Sequence, residues 1–106
     1  MIKFLIQGSY TSEGVKGLLK AGGTTRKQAV EKMINDLGGK IEAFYYAFGD
    51  TDVYVIAEVP DTVTATAVSV NVNSTGLVSV STTILFSPEE VDRATKISVS
   101  YRAPGS

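Results

Sequence analysis

The segment DTVTATAVSVNVNSTG, which runs from Asp61 to Gly76, decides the fold of this chain. Its threonine and valine content favours a β-strand, but its apolar residues do not keep the alternation of a strand. At about 100° per residue they form two stripes on opposite sides of a helix. The stripes consist of Val63, Ala67 and Val70 and of Ala65, Val68 and Val72. The pattern therefore predicts a helix that packs on its own sheet with one stripe and on a partner subunit with the other.

Segments with the character of strands lie on both sides of this helix. Alternating or continuous apolar residues, which are typical of strands, occupy residues 2–10, 40–48, 53–59 and 77–86. Gly49 to Asp52 has the composition of a hairpin turn, and a second helical region, at about 12–37, is broken at Gly22-Gly23. With right-handed crossovers, the order β-α-β-β-α-β predicts an α+β, ferredoxin-like antiparallel sheet with both helices on one face.

The chain has 106 residues, which is the usual size of one domain. We assign residues 1–92 to that domain. Ser87 as N-cap, followed by a proline and two acids, predicts a short helix over about 87–95. We expect residues 93–106 to form a C-terminal tail that docks on a neighbouring subunit.

All four predicted strands carry apolar or aromatic residues on both faces, whereas the helices cover only one face. A large exposed apolar face is not tolerated on a soluble monomer. Two sheets packed face to face would bury it, so we predict a homodimer or a larger homo-oligomer, a dimeric α+β barrel. We expect its contacts to involve Val68, Val72, Tyr101 and Arg102, of which the last two end an extended segment that starts at Ile97.

Cysteine and histidine are absent from the chain. Their absence excludes thiolate nucleophiles, Ser-His pairs, an imidazole base, disulfides and ordinary zinc sites. Asp50 and Asp52 are interpreted as turn residues, with a site for a hard cation as the less favoured alternative. We expect no metal and no cofactor, so any chemistry must come from carboxylates, lysine, arginine, tyrosine or backbone amides.

The formal net charge of -1 conceals an uneven distribution of charge. Residues 1–42 contain seven Lys or Arg and four acids, residues 43–92 contain seven acids and no base, and the tail contains Arg93, Lys96 and Arg102. Bases alternate with acids instead of forming a basic stripe, so nucleic acid binding is disfavoured. Either the middle of the chain simply lacks lysine, or basic and acidic segments meet within or between subunits.

The sequence shows no sign of a membrane segment. No apolar run approaches the length of about 18 residues that a membrane span needs. The apolar stretch at the N-terminus is short and is interrupted by Lys3 and Gln7, which is not typical of a signal peptide. We therefore expect no contact with membranes and a cytoplasmic location.

An aromatic set on and around the second strand is the candidate ligand site. Strict alternation along that strand places Glu42, Phe44, Tyr46 and Phe48 opposite Ile41, Ala43 and Tyr45. We expect the ligand to contact Gln7, Tyr10, Phe44, Phe48, Tyr54 and Ser81. These residues would line an apolar cavity, either between the sheet and the helices or between the two sheets of a dimer. Ordinary packing of aromatic residues in a core and an interface is the alternative interpretation.

Glu42 is the best candidate for an acid–base group, because it lies in mid-strand among aromatic residues, with Tyr46 as a second catalytic group. A salt bridge to a basic residue is the alternative role for Glu42. Arg26 and Lys27, near a helix start, are candidates for holding an anion, with solvated surface charges as the alternative. Three functions stay open: a homo-oligomeric protein that binds a small apolar or aromatic molecule, a cofactor-independent monooxygenase or isomerase, and a structural self-assembly module.

Several motifs of the chain resemble the GYD domain family. They are IQGSYT at 6–11, GVKGLL at 14–19, GGK at 38–40, AFYYAFGD at 43–50 and SPEEV at 87–91. The resemblance extends over about residues 2–92, with Thr51 where the family usually has a tyrosine. It implies the fold of the dimeric α+β barrel superfamily. Cofactor-free monooxygenases, muconolactone isomerase-like enzymes, haem-handling proteins and stress-associated proteins share that fold, so the fold alone does not assign a function.

Overall fold

The computed structural model describes all 106 residues and contains four strands and four helices. The strands are β1 (Ile2–Tyr10), β2 (Lys40–Tyr46), β3 (Val53–Val59) and β4 (Val78–Leu85), and the helices are α1 (Ser12–Ala21), α2 (Gly23–Asp36), α3 (Thr62–Ser74) and α4 (Pro88–Thr95). Up to the end of β4 the order is that of the predicted β-α-β-β-α-β unit, with the first helical region divided into α1 and α2. The predicted α+β, ferredoxin-like fold is thus confirmed.

The four strands form one antiparallel sheet in the order β2-β3-β1-β4. Alternate residues of the two central strands are buried on the side that faces the helices. This core consists of Phe4, Ile6, Val53, Val55, Ala57 and Val59 from the strands and Ile34, Ala65 and Val68 from the helices. The sheet therefore has a helix-side face, which is covered, and an open face, which no element of the chain covers.

Local capping chemistry sets where the helices begin. The side chains of Thr11, Asp61 and Ser87 accept hydrogen bonds from the first turns of α1, α3 and α4, which is the usual role of short polar residues at this position. Gly22 separates α1 from α2 with a φ of 84°, a left-handed conformation that glycine adopts without steric cost. The predicted break at Gly22-Gly23 is therefore confirmed.

A β-bulge at Glu42 corrects the predicted facing of the residues of β2. Ile41 lies opposite Ala57 and Ala43 lies opposite Ile56, so Glu42 is an extra residue between two pairs. The bulge reverses the alternation. As a result, Ile41 shares the helix-side face with Phe44 and Tyr46, whereas Ala43 and Tyr45 lie on the open face. The sequence prediction assumes strict alternation along the whole strand and therefore misses this insertion.

Helix α3 confirms the helix predicted for this segment, and its two apolar stripes differ in burial. Val68 is only 3% exposed, and Val72 is half-buried, because their stripe packs on the sheet of the same chain. The other stripe is the exposed one, with Val63 at 76% and Val70 at 62%. The stripe with Val68 and Val72, for which we predict a subunit contact, is thus the one that packs within the monomer.

The last nineteen residues, Pro88–Ser106, form a C-terminal arm in which every residue is exposed. The arm contains α4, and no strand forms over the predicted extended segment from Ile97 to Tyr101. It makes the chain elongated, with extents of 56 × 33 × 22 Å and a radius of gyration of 16.9 Å. A compact domain of about 100 residues has a radius of gyration of about 13 Å. The arm thus extends away from the sheet and helices.

The lengths of the four helices can be compared with the length that a membrane span needs. The longest, α2, has fourteen residues, whereas a membrane span needs about 20. None of the helices has the length and apolar character needed to cross a lipid bilayer.

Candidate functional site

A cavity of about 150 Å³, which we call the inner cavity, lies between the helix-side face of the sheet and helices α2 and α3. Its walls consist mainly of apolar side chains from both layers. Those residues are Ile6, Tyr10, Ala29, Val30, Met33, Phe44, Val53, Val55, Val68, Val72, Val78 and Val80. The polar lining residues are Arg26, Ser69 and Thr82. Protein interiors contain few voids larger than a water molecule, so a space of this size is a candidate binding site.

Short side chains in facing positions create the inner cavity. On the sheet side, Val53 and Val80 lie opposite Gly8 and line the cavity. They also fill the space above the glycine, since a Cβ added at Gly8 would approach the Cγ1 atom of Val53 to 2.9 Å. Across the gap, α3 presents Val68 and Val72. Because valine reaches less far than leucine or phenylalanine, the two layers do not interdigitate fully at this point.

Thr82 contributes an unpaired polar atom to the cavity. Its Oγ1 atom is buried and has no hydrogen-bond partner in the protein. A buried polar group without a partner costs about 1–3 kcal/mol, and such groups are rare in folded proteins. Thr82 thus places an unpaired hydroxyl at the wall of the inner cavity.

A second space, which we call the outer cleft, adjoins the inner cavity beneath α1. It has a volume of about 360 Å³. Tyr10, Arg26, Val72 and Val78 line both spaces and therefore form the boundary between them. The boundary marks a path by which a small molecule could pass from the surface to the inner cavity.

Tyr10 is held at this boundary by the turn between β2 and β3. Its backbone N–H donates to Oδ2 of Asp52 over 2.8 Å, and the backbone N–H of Asp52 donates to the carbonyl of Gly8 over 2.8 Å. Asp52 thus fixes the end of β1, in agreement with its interpretation as a turn residue. No three acidic side chains are grouped so as to hold a metal ion.

Tyr46 lies beside Phe44 at the N-terminus of α2. Its hydroxyl donates to the carbonyl of Gly23 over 3.0 Å, and its ring meets Phe44 edge-on with centroids 5.3 Å apart. Burial raises the pKa of Tyr46, and the nearby Tyr10 raises it further, whereas Arg26 opposes the shift. The Tyr46 hydroxyl therefore stays protonated at neutral pH and acts as a hydrogen-bond donor.

Arg26 is the cation of the boundary, and it forms no salt bridge. The chain's salt bridges are all made by lysines, at Lys3, Lys16, Lys32 and Lys40. Glu13, which lines the outer cleft, is bound to Lys16 with an Nζ–Oε1 distance of 3.1 Å. The guanidinium of Arg26 thus has its full capacity for bidentate hydrogen bonds.

Other predicted site residues lie on the open face. Gln7 lies opposite both Tyr54 and Ser81, and Tyr54 lies opposite Tyr45, so these four residues form a row across all strands. At one end of this face, the Glu42 carboxylate lies 2.7 Å from Nζ of Lys3, and Glu58 bridges Lys3 and Lys40 at 3.9 and 3.5 Å. The hydrogen bond that Nζ of Lys3 donates to Glu42 raises the pKa of Lys3.

The structure therefore divides the predicted site between two surfaces. Tyr10 and Phe44 line the inner cavity, and Tyr46 packs on Phe44 on the same face of the sheet. Gln7, Tyr54, Ser81 and Glu42 lie on the open face. Phe48 is 60% exposed and stacks on Tyr46 beyond the end of β2. The proposed catalytic pair is not brought together, because the sheet separates Tyr46 from the Glu42 carboxylate, which is half-exposed and bound to Lys3.

Sequence reasoning missed Thr82 and the valines of β4 and α3. A signal was present at Thr82, since it is the polar member of the otherwise apolar row of Val78, Val80 and Ile84. The sequence predicts Arg26 as a candidate for holding an anion, but nothing in the sequence connects it with Tyr10 and Tyr46.

A family model described as the GYD domain matches residues 4–95, which is most of the chain. No curated protein matches the chain. No solved structure matches it either.

Proposed function

The chain belongs to the GYD domain family, and we propose that this member binds a small, largely apolar molecule in its inner cavity. One observation carries the proposal: an apolar space of about 150 Å³ has a buried hydroxyl, that of Thr82, without a partner. Ligand sites combine apolar walls with a few polar groups that fix orientation. The inner cavity has this composition.

The volume limits the size of the ligand. A cavity of about 150 Å³ lined by aliphatic and aromatic side chains holds a benzene-sized molecule in another protein. Typical sites for larger organic ligands have volumes of about 300–1,000 Å³. We therefore expect a molecule with one ring or a short branched chain, with any further atoms in the outer cleft.

Binding of toluene to the whole chain tests this proposal by NMR titration of the backbone amides. We expect saturable shifts that are centred on residues around the inner cavity. Val72→Phe fills the boundary and should abolish them, whereas Val70→Phe, on the exposed stripe of the same helix, should preserve them. Absence of saturable binding to the wild-type chain, or equal binding by Val72→Phe, would overturn the proposal.

Self-association is a second candidate function, and the open face favours it. Strands of seven to nine residues at about 4.8 Å spacing and about 3.4 Å per residue cover roughly 500 Å². A stable interface buries about 800 Å² on each partner, so the face supplies much of a dimer contact. Exposed apolar residues of the C-terminal arm, such as Val99 and Tyr101, could supply the remainder by docking on the second copy, with Arg102 beside them.

The catalytic alternative, a cofactor-independent monooxygenase or isomerase, has less support. Glu42 and Tyr46 lie on opposite sides of the sheet, so one substrate cannot contact both within a chain. The raised pKa of Tyr46 also opposes formation of a phenolate base. Binding without a chemical step is therefore the function that the geometry supports best.

A further inference from the structure

We infer that the molecule bound in the inner cavity is a small monocarboxylate, with its carboxylate on Arg26 and its apolar body among the valines. This inference rests on the proposed function, since it names the chemical class of ligand for the same cavity. It follows from the positive charge of Arg26 at the cavity boundary, which a ligand without charge would leave unpaired.

Arg26 is the only charged residue that lines the inner cavity. It is partly buried and forms no salt bridge. Burying a cation without a counter-charge is unfavourable, and no carboxylate of the chain pairs with Arg26, since Glu13 on the outer cleft is bound to Lys16. An anion from outside the chain would remove this cost.

The shape of the guanidinium indicates which kind of anion Arg26 would bind. A guanidinium presents parallel N–H donors that match the two oxygens of a carboxylate. Arg26 lies in the first turn of α2, where the helix dipole also favours negative charge. Tyr10 lines the cavity together with Arg26, so its hydroxyl can donate to the same carboxylate, whereas the hydroxyl of Tyr46 already donates to Gly23.

The number of cations limits the charge of the ligand. Lys27, the next residue, is exposed and does not line either space. Glu13 on the outer cleft is bound to Lys16 and adds negative potential there. One cation beside one acid therefore suits a single negative charge and disfavours a phosphate dianion.

Three probes of one ring size test the inference by calorimetric titration at neutral pH and low salt: benzoate, benzamide and toluene. We expect the wild-type chain to bind benzoate at least about tenfold more tightly than benzamide. Arg26→Gln should remove this preference and retain toluene binding, whereas Lys27→Gln, its adjacent control, should keep the preference.

The outcomes separate this inference from the proposed function. If toluene binds but benzoate binds no better than benzamide, the carboxylate assignment is wrong and the cavity remains a site for neutral molecules. If Arg26→Gln keeps the preference for benzoate, the anion is held elsewhere and the inference is also wrong. If none of the three probes binds, the proposed function fails, and this inference fails with it.

Discussion

The two faces of the sheet come from the same four strands but differ in what covers them. The helix-side face holds the buried core and the inner cavity, whereas the open face holds a row of tyrosine, glutamine and serine and a group of four charges. Both faces contain aromatic residues. The aromatic residues of the sequence are therefore divided between two surfaces. We assign the helix-side face to a ligand and the open face to a second copy of the chain.

The largest expected effect compares two neighbouring residues of β1. Phe4 is fully buried on the helix-side face, whereas Leu5 is half-buried on the open face. Phe4→Ala should lower the free energy of unfolding by about 3–5 kcal/mol, because it leaves a cavity in the core. Leu5→Ala should cost less than half as much in urea unfolding at low protein concentration. Equal losses would contradict the assignment of the core to one face.

A charge placed on the open face should break the proposed dimer. Ile56 lies opposite Leu5 in the middle of that face, so Ile56→Lys would bury an unpaired cation at a face-to-face contact. We expect light scattering to give about half the mass of the wild-type particle. Gln28→Lys, on the exposed surface of α2, should leave the mass unchanged. An unchanged mass for Ile56→Lys would exclude the open face as the interface.

Thr82 and Thr83 allow a smaller and sharper comparison, since they are adjacent but face opposite sides of the sheet. Thr82→Val replaces the unpaired buried hydroxyl with a methyl group of similar size. We expect the ligand-free chain to gain up to about 1 kcal/mol in stability. Thr83→Val, on the exposed side, should change stability by less than about 0.5 kcal/mol. A loss of stability in Thr82→Val would indicate that the hydroxyl has a partner.

The smallest expected effects are the losses of stability that acid causes at the caps of α3 and α4. Hydrogen bonds from the first turn of α3 lower the pKa of Asp61, and those from Ser87 lower the pKa of Glu90. A carboxyl whose folded pKa is depressed adds stability above its unfolded pKa, and this contribution is lost as pH falls through the folded value. The loss should therefore begin at about pH 4 and increase below it.

The helix that Asp61 caps packs on the sheet, whereas the helix that Ser87 and Glu90 cap does not. Helix α3 packs on the sheet, so the difference in melting temperature between the wild-type chain and Asp61→Asn should shrink as the solution is acidified. Helix α4 lies in the exposed arm, so Glu90→Gln should change helix content by circular dichroism and leave the main melting transition in place. A pH-independent difference for Asp61→Asn would contradict the assigned cap.

Most of the fold could be predicted because its signals are local. The wheel pattern of residues 61–76, the capping residues and the glycine break at Gly22 each depend on a few neighbouring residues. The bulge at Glu42 could not be predicted, since it depends on how β2 pairs with β3. Nothing in the sequence of β2 interrupts the alternation of its residues at Glu42, so the sequence does not reveal the bulge.

The candidate site was less accessible to prediction than the fold. Tyr10 and Phe44 were expected at a cavity and do line one. The cavity itself, however, arises where valines of β3, β4 and α3 face one another. It therefore depends on how three separate segments pack, which none of them shows alone. Arg26 joins Tyr10 and Tyr46 only through the packing of α2 against the end of the sheet.

Native mass spectrometry of the full chain, purified from its own host at tens of micromolar, tests the assignment of the two faces most directly. The account predicts a particle of about twice the chain mass of 11.2 kDa, or a larger even multiple. It also predicts that each chain carries a small organic acid that is released on collisional activation. A single chain without any bound small molecule would contradict both assignments.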